Sequence, residues 1–144
     1  MNLQEISDKL EIQELIDNLS ISSDELNPEK QVADFTDDAT FRVINEGQKV
    51  AEITGKDAIY KAFSDTGITF KSVYHLNGQS VIKLSGNSAS SITYNQVTWT
   101  GIQDDKETGM IQNAKYLCKF KKINGLWKIQ ELENNFILNL PLNK

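Results

Sequence analysis

Apolar residues recur at helical spacing through the first twenty positions, and at alternate positions through most of the chain beyond residue 68. Ile12, Leu15, Ile16 and Leu19 share one helical face, while Leu3, Ile6 and Leu10 fall on roughly the opposite one. The first stretch is thus one helix touching apolar surface on two sides, or two pieces broken near Ser7, a plausible cap; the break is the expectation. Asn27, Pro28 and Glu29 form a helix start, with a capping side chain, proline at the first helical position and an acid in the first turn. This second helix is expected to bury Val32 and Phe35 and to end at Asp37-Asp38. A third, short helix is expected after Thr54-Gly55, with Ile59, Ala62 and Phe63 on its apolar side.

Between and after the helices the period shortens to two. Residues 40–44 and 49–53 flank the turn Asn45-Glu46-Gly47-Gln48 and read as a hairpin. Later β segments are joined by Ser85-Gly86-Asn87, by a polar loop from Gln103 to Gly109, and by Asn124-Gly125, whose residues both tolerate positive φ. Tyr116, Cys118 and Phe120 alternate with Lys119 and Lys121, so the sheet has one dry face and one wetter one. Helices followed by a long antiparallel meander make an α+β fold, with a strongly curved sheet wrapped on helices.

At 144 residues, without a linker or repeat, the chain reads as one domain over residues 1–144. The net charge of −5 and the absence of a basic cluster argue against a nucleic-acid partner. No apolar run is long enough for a membrane span, the start lacks a secretory signal, and Cys118 is the only cysteine, so a cytoplasmic protein is expected. Cys118 itself reads as a small buried hydrophobe, and Trp99 and Trp127 as packing or interface residues.

The order of these signals resembles the SnoaL-like family of the nuclear transport factor 2-like superfamily. The resemblance runs from EIQELIDNLS through SSDELNP, VADFTDDATF, GKDAIYKAF and VYHLNG to the closing hairpin YLCKFKKINGLWKIQELE, roughly residues 8 to 134. It implies a cone-shaped α+β barrel, with N-terminal helices closing a pocket on a curved antiparallel sheet. Members include cyclases, dehydratases, isomerases and binding proteins without a reaction, so the resemblance leaves the chemistry open.

In reactive members an acid after the first helix faces a histidine on the first long strand; Asp24 and His75, the only histidine, occupy those places. Asp24 would fix the imidazole tautomer or itself take a proton, and His75 would move a proton to or from the substrate. The alternative leaves Asp24 a turn or capping residue and His75 a ring filling space. Tyr74, Tyr94, Gln96, Thr98, Asn113 and Tyr116 are the further candidates for orienting a small, mostly apolar ligand; Tyr94, Gln96 and Thr98 share one strand face, which is either concave or solvated. Ketosteroid isomerases carry an acid where this chain has Val43 and a tyrosine near Leu19, so that mechanism is not expected. One histidine does not supply a two-histidine iron site, so neither metal nor cofactor is expected. The resemblance also implies a homodimer through the outer sheet face. The apolar tail Phe136, Ile137, Leu138, Leu140 and Leu142 would need cover, over the cone's mouth or from a dimer partner.

Overall fold

The computed structural model describes residues 1–142. The order of elements is α1 (Leu3–Asp24), α2 (Pro28–Val32), β1 (Phe35–Asn45), β2 (Gln48–Thr54), α3 (Lys56–Ser64), β3 (Thr69–Ser85), β4 (Ser88–Gln103), β5 (Lys106–Ile123) and β6 (Leu126–Pro141).

α1 runs unbroken through Ser7. Its cap is Asn2, whose side chain accepts the Glu5 amide at 2.8 Å, and the Gln4–Asp8 side-chain bond spans the position where a break was expected. Ile12, Ile16 and Leu19 are buried against the sheet, whereas Leu3, Ile6 and Leu10 stay exposed. α2 begins as expected, with Asn27 Oδ1 accepting the Lys30 amide at 3.1 Å. It stops at Val32 rather than Asp37-Asp38, because the Ile129 amide donates to Asp34 O and Phe35 enters β1. Phe35 is still buried, but from a strand.

The six strands lie in the order β2-β1-β6-β5-β4-β3; all neighbours are antiparallel except β1 and β6, which are parallel. The sheet curls around the helices without closing, so it forms a cone wall rather than a complete barrel. Two-residue turns with both central residues at positive φ join three of its four hairpins: Glu46-Gly47, Asp104-Asp105 and Asn124-Gly125. The hand of such turns matches the twist of the strands. The expected polar loop from Gln103 to Gly109 is therefore only a turn at Asp104-Asp105, with β5 starting at Lys106. The expected apolar tail is the long end of β6, hydrogen-bonded to β5 as far as Pro141. Gly101 allows tight coiling beside β3, since a Cβ there would stand 2.6 Å from Thr69 O.

Ile12, Ile16, Ile59, Phe120, Trp127 and Ile129 fill the narrow end of the cone. Trp127 carries a polar tip into this core, and its indole N–H donates to Asp8 Oδ1 at 3.0 Å. No helix is long and apolar enough to cross a membrane among the described residues.

Candidate functional site

The wide end of the cone holds a cavity of about 720 Å³, between the end of α1, α2, α3 and the concave side of β3 to β6. Its walls are mainly apolar: Phe41, Phe63, Phe70, Val73, Val97 and Trp99 among others. Phe41 meets Phe63 edge-on at 5.0 Å, and Phe70 meets Trp99 at 5.5 Å, arrangements that stiffen both walls. The size and lining suit a small organic molecule.

His75 faces this cavity from β3. Asp24, the last residue of α1, lies beside it, with Oδ1 2.7 Å from the ring Nδ1. The same carboxylate accepts the His75 backbone N–H, at 3.0 and 3.2 Å to its two oxygens. Asp24 therefore fixes both the strand and the ring. A carboxylate accepts, so Nδ1 carries the hydrogen, and in the neutral ring Nε2 keeps its lone pair. The His75 side chain is only 10 % exposed, and the bond from Nδ1 to Asp24 sets its ring orientation. Such a ring is equipped to take a proton from a molecule in the cavity.

Tyr116 also lines the cavity and is buried. Burial pushes the phenol up to about 12, so the hydroxyl stays protonated at any working pH. The other residues singled out from sequence lie elsewhere. Tyr74, Tyr94, Gln96, Thr98 and Asn113 point to the outer face: Tyr74 is 61 % exposed, Lys115 stands over the Tyr94 ring, and Gln96 donates to Asn113 Oδ1. The alternation of β4 runs unbroken from Ala89 to Trp99, so Asn95, Val97 and Trp99 face inward with Thr93, and Tyr94, Gln96 and Thr98 face outward. The irregularity lies in β3: counting straight out from the Gly86-Asn87 turn puts Thr98 opposite His75, but the register shifts between Asn77 and Ser80, and Val97 becomes the partner. The extra residue exchanges the faces of β3, which brings His75 rather than Tyr74 to the inner side.

Sequence reasoning missed the cavity's other polar residues, Ser23, Gln31, Thr69, Asn95, Gln112 and Asn134 among them. Asn95 was recoverable from its parity with Val97 and Trp99 on the inner face of β4. Gln112 is committed on both sides: it accepts the Trp99 indole N–H at 3.1 Å and donates to Asn139 at 2.8 Å. Trp99 thus packs, as expected, and lines the cavity as well. Cys118 is buried outside it, its thiol pushed up to about 12 by burial, as suits a packing residue. Among the described residues no three His, Cys, Asp or Glu side chains gather as a metal site would require.

The SnoaL-like domain matches residues 4–133. Among solved structures, a type 2 hexachlorocyclohexane dehydrochlorinase (LinA) superposes with a TM-score of 0.84 at 15% identity, covering 99% of this chain and 94% of its own. LinA-type3 from Novosphingobium barchaimii LL02 gives 0.83 at 16%, with coverage of 99% and 94%. A provisionally assigned scytalone dehydratase from Novosphingobium aromaticivorans DSM 12444 gives 0.82 at 20%, with coverage of 100% and 93%. No curated protein matches the chain in sequence. At these identities the structural likeness establishes the fold.

Proposed function

This chain belongs to the SnoaL-like family, and from that premise we propose that it catalyses a cofactor-independent elimination on a small, mostly apolar molecule, with His75 as base. The observation carrying this reading is the 2.7 Å contact from Asp24 to His75 Nδ1, beside a cavity that His75 itself lines. Nε2 would remove a proton from carbon, the C–H electrons would form the double bond, and the bond to the leaving group on the adjacent carbon would break. A halide leaves as the anion. A hydroxyl takes the proton back from the imidazolium and leaves as water. Asp24 would hold the tautomer and stabilise the transient positive ring, the part an acid plays behind a catalytic histidine. Returning the proton to another carbon instead would give isomerisation by the same base.

The dehydrochlorinase and the provisionally assigned dehydratase are both named for eliminations, which supports this reaction class over other proton transfers. The test is incubation with cyclic alcohols and halides bearing an activated neighbouring C–H, following alkene and released water or halide. Turnover lost in His75→Gln supports the assignment. Saturable binding that never leads to a product, in a compound lying against His75, would make the protein a binding module.

The outer sheet face is proposed to seat a second copy of the chain. Tyr74, Leu76, Ile92, Tyr94, Leu138 and Leu140 are each more than 40% exposed there, a broad apolar surface for a lone subunit. A stable homodimer would bury at least about 1,000 Å² in total. Sedimentation showing only the 16.2 kDa species at micromolar concentration would remove the proposal.

A further inference from the structure

Two residues beyond His75, on the same inner side of β3, Asn77 makes two side-chain bonds to α1. Ser20 Oγ donates to Asn77 Oδ1 at 3.1 Å, and Asn77 Nδ2 donates to Asp17 Oδ1 at 3.1 Å. Asp17, Ser20 and Asp24 are spaced i, i+3 and i+7, so they share one face of α1. Four helical residues rise about 6 Å and two strand residues about 6.6 Å. Asp24 can therefore meet His75 while Ser20 meets Asn77, and the two contacts stand as successive rungs between helix and strand.

The rungs hold a segment whose register is otherwise weakly specified. β3 ends the sheet, with β4 on one side. Residues 72–77 lie between two register shifts, one from Phe70 to Ser72 and one from Asn77 to Ser80. They can slide by one residue, moving the extra residue from one bulge to the other, while the strand on either side keeps its pairing. Within the subunit, apolar patterning opposes the observed register. Val73, His75 and Asn77 face in, whereas Tyr74 and Leu76 face out at 61% and 58% exposure. A one-residue slip would set His75 opposite Thr98, turn its ring to the outer face and bring Tyr74 and Leu76 inside. Polar bonds to α1 hold the less apolar side inward, the part a single buried Asn plays in fixing the register of a coiled coil.

We propose that Asn77 is a positioning residue for His75: by binding Ser20 and Asp17 it locks residues 72–77 in the register that turns the imidazole to the cavity. Asp24 adds to the lock by accepting the His75 backbone N–H at 3.0 Å, and the lock in turn keeps the ring Nδ1 within its reach. Asn77 acts through the strand alone, since it is not among the residues lining the cavity. Its importance for catalysis rests on the reading of His75 as the base of an elimination.

The test reads register and tautomer by NMR, which a chain of 16.2 kDa permits. In the wild type, cross-strand NOEs should place His75 opposite Val97, with the ring hydrogen on Nδ1. Asn77→Ala removes both bonds to α1 and should give a second population, with His75 opposite Thr98 and both ring tautomers visible. On a substrate, kcat/KM should fall about tenfold, the scale of one net hydrogen bond. Asn77→Asp sets two carboxylates together and should show the same slip. Combining it with Asp17→Asn exchanges the two side chains, restores a donor between them and should return the wild-type register. Loss of stability alone would not move the pairing partner of His75. A folded Asn77→Ala that keeps the wild-type register and tautomer would overturn the proposal, as would an exchange that leaves the slip of Asn77→Asp in place. Where Asn77→Ala does not fold, Ser20→Ala removes one of the two bonds and is read in the same way. Neither register nor tautomer needs a substrate, so this lock can fail while His75 catalysis stands, and can hold where no elimination is found.

Discussion

Replacing Asp24 with asparagine nearly preserves the side chain's shape and removes one accepting edge. The native carboxylate serves two donors: the ring Nδ1 at 2.7 Å and the His75 amide at 3.0 and 3.2 Å. Asparagine has one oxygen. With that oxygen in the place of Oδ1, the bonds to ring Nδ1 and to the backbone N–H both persist, and only the 3.2 Å contact is lost. Turned over, the NH₂ would stand 3.0 Å from the same backbone N–H, so the first arrangement is favoured. The Nδ1–H tautomer then persists, and what is lost is the negative charge that stabilises the ring once it has taken a proton. Turnover should then fall by about 10² to 10⁴, equivalent to about 3 to 5 kcal/mol of transition-state stabilisation, with little change in KM. Stability should fall by about 1 to 2 kcal/mol, since a charge-assisted bond gives way to neutral ones. With one histidine in the chain, a long-range ¹H–¹⁵N correlation of the ring reads the tautomer without any substrate. An Nε2–H ring in the wild type, or turnover in Asp24→Asn within about threefold of wild type, would refute the assignment of Asp24 as the residue that orients the ring and stabilises its protonated form.

Further outcomes follow from the core and from buried titrating groups. The Asp8 carboxyl is held below its ordinary value of 3.8 first by the Trp127 indole N–H, against the opposing effect of burial, with Lys122 and Gln4 adding to it. Its contribution to stability is full above that value and is lost as pH falls through the lower folded one; Asp8→Asn should therefore destabilise the protein at neutral pH and narrow the gap to wild type in acid denaturation. Tyr116 behaves in the opposite sense: unfolded tyrosine ionises near 10 and the folded residue near 12, so stability should decline as pH rises through that window, and Tyr116→Phe should weaken the decline in alkaline melts. Ile12 is fully buried, so Ile12→Ala should cost about 2 to 5 kcal/mol in denaturant unfolding, while Leu10→Ala, on the exposed side of α1, should cost well under about 1 kcal/mol.

Much of the architecture was written locally. Asn27 and Pro28 start a helix wherever they stand before a periodic run, and Asn124-Gly125 turns a hairpin because both residues accept positive φ. The Ile12, Ile16 and Leu19 stripe marks the buried side of α1, and the alternation from Tyr116 to Phe120 marks the dry face of β5. The extent of elements was less legible. The end of α2 depends on Phe35 joining β1 and on Asp34 accepting the Ile129 amide, a contact across most of the chain. The same limit governed the site. Asp24 and His75 are 51 positions apart, and their contact was reached through the family pattern rather than through anything local. Which side of β3 faces inward turned on one bulge between Asn77 and Ser80, which brings His75 rather than Tyr74 to the cavity. Alternation gives each strand two faces but does not say which face is inside when both carry polar residues, as β4 does with Thr93 and Asn95 on one side and Gln96 and Thr98 on the other. Register is a pairwise property of two strands, so only the assembled sheet decided that Asn95 meets the cavity and Gln96 does not.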